Sequence, residues 1–179
     1  MHIRLLRQQD AEQLLQFEIA NRDWFEEFIE TRAAQFYTDA GIQAHIADFL
    51  AQYAAGRLYP CLMLDEAGVI IGRANLRNIE RDVEQDMGRR SRTAHVGYRV
   101  ARHCAGRGVA SAAVAGLLEL GRTHLHLAQM IAHVSVENFA SIRVLEKSGF
   151  TRIGMRDTQS LVQGRALDCH EYAYVFPAA

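Results

Sequence analysis

The sequence predicts an α/β fold of the α+β kind, with a mixed, mostly antiparallel sheet flanked by helices, in a single domain over residues 1–179. Three observations carry that reading. The apolar runs Tyr59 to Leu64 and Val69 to Ile71 flank the turn residues Asp65-Glu66-Ala67-Gly68, a hairpin signal. Residues Thr38 to Tyr53 repeat apolar side chains at helical spacing. Further on, Gly106 and Gly108 stand between a strand pattern and a helix pattern, and another strand follows that helix.

The elements follow in order. Ile3 and Leu5 start a short strand, and Asp10 then stands as a helix N-cap ahead of Leu14, Leu15 and Phe17. A helical pattern with a mixed face continues from Glu18 to Glu30, where Trp24, Phe25, Phe28 and Ile29 interleave with acids. Thr38-Asp39 opens the next amphipathic helix, carrying Ile42, Ile46, Phe49, Leu50 and Tyr53, and Gly56 closes it. After the hairpin, Glu80 to Arg92 is charged and nearly devoid of apolar residues, the composition of a hairpin tip. Thr93 to Val100 is a strand, Val109 to Gly121 an Ala-rich helix, Gln129 to Val136 a strand and Phe139 to Ser148 a helix. Phe150 to Met155 and Glu171 to Phe176 are the closing strands.

Composition narrows the function. With 179 residues, 49% of them hydrophobic, the chain suits one packed domain and excludes general disorder. Lys plus Arg number 20 against 21 Asp plus Glu, a net charge of -1 that argues against direct nucleic-acid binding. The charge is uneven along the chain. Residues 1–93 hold 11 basic and 15 acidic side chains, residues 94–179 hold 9 and 6, so an anionic ligand is expected to favour the second half. Cys61, Cys104 and Cys169 are too scattered for a disulfide framework or a metal knuckle, which points to a reducing cytoplasm. Met1 to Arg7 carries charges where a signal peptide needs an apolar core, and no apolar run reaches the roughly 20 residues of a membrane helix, so neither secretion nor membrane insertion is expected. His124, His126 and His133 lack a carboxylate or cysteine to complete a ligand set, so no metal is expected.

The chemistry concentrates where the strand ends at Val100 and the helix begins at Val109. Gly106 and Gly108 let the chain turn tightly, so that successive amides converge at the positive end of a helix, with Arg102 and Arg107 beside them. That arrangement suits a phosphate or pyrophosphate. It is neither a Walker loop nor a Rossmann fingerprint, because the Lys-Ser/Thr and the third glycine are missing. Downstream, Asn138 caps a helix, Ser141 projects one turn later, and Gly149 ends the helix before Phe150.

Four ordered motifs, Ala94-His95-Val96-Gly97-Tyr98, Ala105-Gly106-Arg107-Gly108-Val109-Ala110, Asn138-Phe139-Ala140-Ser141 and Glu146-Lys147-Ser148-Gly149-Phe150, together resemble the GNAT superfamily of acyl-CoA-dependent N-acetyltransferases, specifically its RimJ/RimL type. The resemblance implies a sheet splayed at the acetyl-CoA site, with pantetheine pairing at Val100 and Ala101 and held by Asn138. It places the pyrophosphate on Arg102, Ala105, Gly106, Arg107, Gly108, Val109 and Ala110, with Ser141 also at the cofactor. The partners it implies are acetyl-CoA as co-substrate and a primary-amine acceptor, such as the basic amino terminus of a ribosomal or other protein. A small-molecule amine, or a non-catalytic acyl-CoA sensor, are the competing readings. Monomer and homodimer both remain open.

Departures from the family pattern affect the catalytic roles. The loop's usual Gln is Ala105, and the strand's usual Glu is His95, which is either the base or a histidine paired across the strand. The tyrosine that many members use as general acid corresponds to Leu145, so Ser141 is the candidate donor to the thiolate, or else a capping hydroxyl. The glutamate that accompanies this serine in RimL-like proteins maps near Ser160 and is missing there. Cys104 is expected to pack rather than carry an acyl group. Glu18, Asp23, Glu26, Glu27 and Glu30 are expected either to rim the acceptor cleft, attracting a cation, or simply to face solvent.

Overall fold

β1 (His2–Leu5), β2 (Tyr59–Leu64), β3 (Ile70–Arg77) and β4 (Thr93–Val100) lie side by side as antiparallel neighbours, with the turn at Asp65 joining β2 to β3. β5 (Gln129–Ser135) then joins β4 in parallel, the one parallel pair among the described residues, because a helix carries the chain back between them. β6 (Thr151–Arg156), the two-residue strands β7 (Leu161–Val162) and β8 (Arg165–Ala166), and β9 (Cys169–Val175) follow. The sheet order is β1-β2-β3-β4-β5-β9-β6, with β7 and β8 forming a separate small ribbon. This computed structural model describes residues 1–80, 92–156, 161–162 and 164–177.

Helices cover both faces. On one lie α1 (Ala11–Ala20), α2 (Arg22–Glu26) and α3 (Asp39–Ala54), which bury Leu14, Phe17, Phe25, Ile42 and Ile46. On the other lie α4 (Val109–Thr123) and α5 (Phe139–Lys147), where Ala113, Val114, Leu117 and Leu145 pack with Met130 of β5. Side chains alternate along β4, so His95, Gly97 and Arg99 face the first layer while Ala94, Val96 and Tyr98 face the second. No helix among the described residues is long and apolar enough to cross a membrane.

Three expectations change. The helical stretch Glu18 to Glu30 is interrupted at Asn21, whose side chain donates to Phe17 O at 2.9 Å and whose backbone leaves helical geometry (φ -115, ψ 13). The strand expected to finish near Gly72 runs on to Arg77, and the last strand starts at Cys169 rather than Glu171, because each finds a full-length partner strand. Most of the expected hairpin tip, residues 81–91, and Ser160 lie outside the described residues.

Candidate active site

The site begins as a parting of two strands. β4 pairs with β5 only from Thr93–Gln129 to Val96–Ala132. Beyond that, β4 stays with β3 as far as Val100–Gly72, and β5 stays with β9 as far as Ser135–Cys169, so the two strands diverge into a V. Ala101 N donates to Ile71 O at 2.8 Å, and strand alternation therefore turns the main-chain groups of Tyr98 and Val100 toward the V. The Trp24 indole N–H reaches the Val100 carbonyl at 3.2 Å. Both main-chain groups of Ala101 are committed, since its carbonyl accepts from Cys104 N at 2.9 Å.

The glycine loop follows. A 3-10 turn at Arg102–Cys104 leads into it, anchored where Arg102 N donates to the buried Asn21 Oδ1 at 2.9 Å. Ala105 N donates back to Arg102 O, and Arg107 N makes only a long contact of 3.4 Å with Cys104 O. Gly106 and Gly108 have φ of +74 and +80, a region that side chains resist, and a Cβ on either would meet open space. Conformation, not crowding, therefore requires glycine here. The amides of Gly106 and Gly108 find no acceptor among the described residues. Those of Val109, Ala110 and Ser111, in the first turn of α4, have none by helix geometry. The unclaimed donors are thus a narrower set than the motif implied, and Ser111 joins it.

On the face of the sheet toward α5, Asn138 Oδ1 caps that helix by accepting from Ser141 N at 3.0 Å, which leaves its Nδ2 uncommitted. The Ser141 hydroxyl lies 2.8 Å from the Tyr98 hydroxyl, a bridge from β4 to α5. Burial pushes the Tyr98 pKa up to about 12, so it stays a neutral hydroxyl able to donate. Leu145 is 1% exposed and belongs to the core. Cys104 is buried with a free thiol.

On the opposite face, His95 stands beside His133, with ring centres 5.2 Å apart, and His133 Nε2 lies 3.2 Å from Glu171 Oε1. Burial, then His133 and Arg77, lower the His95 pKa, which keeps the imidazole neutral and able to take a proton. His133 and Glu171 were not selected from the sequence as partners of His95. The signal was there only as strand alternation, since the register sets Glu171 opposite His133 once β5 and β9 are known to pair. No group of three His, Cys, Asp or Glu side chains among the described residues is arranged to hold a metal ion.

The expected acidic rim is dispersed. Glu18 is 1% exposed and faces inward, with Oε1 2.7 Å from Arg73 and 3.1 Å from Arg99. Glu26 accepts from Arg22 Nε at 2.9 Å and from Tyr37 Oη at 3.3 Å. Asp23, Glu27 and Glu30 alone of the five are exposed.

The sheet is thus splayed between β4 and β5, with a glycine loop of unclaimed amides on one side and a neutral imidazole on the other, an arrangement with room for an acyl-carrying cofactor in the V. The family described as "Acetyltransferase (GNAT) domain" matches residues 1–151, and the chain belongs to that family of N-acetyltransferases, which use acetyl-CoA. The chain is 29% identical over 165 residues to "Probable N-acetyltransferase YjcK" of Bacillus subtilis, covering 92% of this chain and 87% of that protein. Its fold is similar to that of a ribosomal-protein-S5-alanine acetyltransferase from Vibrio fischeri, with a TM-score of 0.87, 21% identity, and coverage of 97% of this chain and 91% of the other. It is also similar to that of Mycobacterium smegmatis RimJ in complex with CoA-disulfide, with a TM-score of 0.86, 24% identity, and coverage of 97% and 80%.

Proposed function

We propose that the protein acetylates the α-amine at the amino terminus of a protein, with ribosomal proteins as the acceptor class. The observation that carries this reading is the V between β4 and β5, which has a hydroxyl pair and unclaimed amides on one face and the neutral His95 on the other. The likeness to a ribosomal-protein-S5-alanine acetyltransferase supports the acceptor class.

Acetyl-CoA supplies the thioester to be cleaved; the chain binds it and moves the protons. The amides of Gly106, Gly108, Val109, Ala110 and Ser111 receive the pyrophosphate at the helix N-terminus, with Arg102 and Arg107 alongside. Val100 offers its N–H to the pantetheine while its carbonyl accepts from the Trp24 indole, and Asn138 Nδ2 donates to the same arm. His95 takes the proton that the amine loses as nitrogen bonds to the carbonyl carbon, and Glu171 orients His133 beside it. As the C–S bond breaks, Ser141 gives its proton to the sulfur and regains one from solvent, its oxygen meanwhile held by the hydrogen bond of the neutral Tyr98 hydroxyl. Acid and base assistance of this kind contributes about 100–10,000-fold, with positioning supplying much of the rest.

Calorimetric titration with acetyl-CoA, followed by thiol release with peptides starting in Ala or Ser, tests the reading. Binding and turnover are expected. Gly106→Pro should abolish binding, because proline cannot adopt a φ of +74. A wild-type dissociation constant above about 1 mM, or tight binding with no peptide turned over, would overturn it.

A further inference from the structure

The sheet face that carries His95 also carries a cluster of positive charge, buried at Arg73, half-buried at Arg32 and Arg99, and exposed at Arg77. Arg73 and Arg99 are direct cross-strand partners, and both lean on the single oxygen Glu18 Oε1. Arg32, in the segment after α2, and Arg77, on β3, lie within electrostatic range of Arg73 yet make no ion pair or hydrogen bond with any described residue. Three guanidinium groups therefore share the Glu18 carboxylate, and Arg77 has no paired acid among the described residues.

Aromatic rings stand beside three of the four, two of which also pair with Glu18. The guanidinium carbon lies 4.1 Å from the Phe36 ring centre for Arg32, 5.1 Å from Phe25 for Arg99 and 5.2 Å from Phe49 for Arg73. A ring fixes a guanidinium through its quadrupole and leaves the net charge uncompensated. Arg77 lies over the backbone of Gly97, where a Cβ would come within 2.9 Å of its Nη2. Between Arg73 and Arg77 on the same strand, the buried Asn75 Oδ1 has no donor. Arg32 and Arg77 thus carry charge that no described acid pairs with, and a partly desolvated cation such as Arg32 attracts an anion more strongly than one in open water.

Resting on the reading that the amine arrives at His95, we propose that the acceptor bears a carboxylate within one or two residue lengths of that amine, bound by Arg77 and Arg32. Arg77 is the direct cross-strand partner of His95, which sets their Cβ atoms about 5 Å apart. A carboxylate on Arg77 thus leaves the amine at His95 only a short side chain or one peptide unit away. The acceptor is an acidic amino-terminal peptide; a free acidic amino acid offers the same chemistry and forms the second arm of the test.

The test uses three N-acetylated pentapeptides, titrated in the presence of CoA. They differ only at the second and third positions, which are Asp, Asn or Lys. The Asp peptide is expected to bind about tenfold more tightly than its Asn counterpart, the effect of a charge-assisted hydrogen bond. Arg77→Gln and Arg32→Gln should each collapse that ratio. Gly97→Ala should do the same by displacing Arg77 without removing its charge, and thermal unfolding establishes that each variant is folded. Thiol release with the free-amine peptides and with aspartate then identifies the source, the peptide if it is preferred and the amino acid if the order reverses. Equal binding of the Asp and Asn peptides, or preference for Lys, overturns the inference and leaves acetyl transfer standing where neutral amines still release thiol. Failure to bind acetyl-CoA removes the enzymatic reading instead, while the binding ratio measured without turnover still decides the carboxylate site.

Discussion

Acidification from about pH 7.5 to pH 5 probes the cationic floor through His45, with a size that follows from the structure. His45 Nε2 accepts from Arg73 Nη2 at 2.7 Å, a role that only the neutral imidazole can fill. Burial, reinforced by Arg73, Arg32 and Arg99, lowers its pKa to about 3. In the unfolded chain a histidine titrates near 6.5. A base whose folded pKa is depressed favours folding while neutral, so this contribution is complete above about pH 6.5 and is lost as the pH falls toward 3. At pH 5 the gap from 6.5 is about 1.5 units, and at about 1.36 kcal/mol per unit His45 costs about 2 kcal/mol of stability. Urea unfolding of the wild type and His45→Gln at pH 7.5 and 5 measures it, since glutamine keeps an acceptor for Arg73 and does not titrate. The wild type is expected to lose about 2 kcal/mol more than the variant, with unchanged dependence on urea. His95 titrates in both proteins and cancels. Equal losses would refute the claim that His45 is held neutral.

Other perturbations separate the parts of the site. Tyr98→Phe removes the hydroxyl 2.8 Å from Ser141 Oγ; steady-state kinetics should show kcat reduced about tenfold, within the range of acid catalysis, with KM for acetyl-CoA little changed. Asn138→Asp keeps the oxygen that caps α5 and discards the Nδ2 donor, so the thermal midpoint should hold while KM for acetyl-CoA rises. Asn21→Ala strips the acceptor from the Arg102 amide and is expected to cost about 1–3 kcal/mol in chemical unfolding and to weaken acetyl-CoA binding. Leu145→Tyr installs the tyrosine common in the family at a position only 1% exposed; overpacking should destabilise by about 1–3 kcal/mol with no gain in kcat.

Much of the fold was legible because its signals are local. Apolar spacing located α3 and α4, turn residues located the β2–β3 hairpin, and the caps at Thr38 and Asn138 and the stop at Gly149 needed only near neighbours. The glycine loop was legible for the same reason, since a positive φ at Gly106 and Gly108 is a property of two residues. The helical periodicity of Glu18 to Glu30 misled because an asparagine side chain at its centre competes with the helix, which no hydrophobic pattern records.

The sequence by itself determined the strand–glycine loop–helix unit, the candidate hydroxyl at Ser141 and the histidine at position 95. Tertiary structure alone decided what stands around them. Glu18 meets Arg73 across 55 residues of chain, Tyr98 meets Ser141 across 43 and His133 meets Glu171 across 38, and each meeting depends on strand register or on a helix laid over the sheet. The charge of the site shows the difference most plainly. Arg32, Arg73 and Arg77 all belong to the half of the chain with an excess of acid, yet they gather within electrostatic range of one another, because folding sums charge over neighbours in space rather than along the chain.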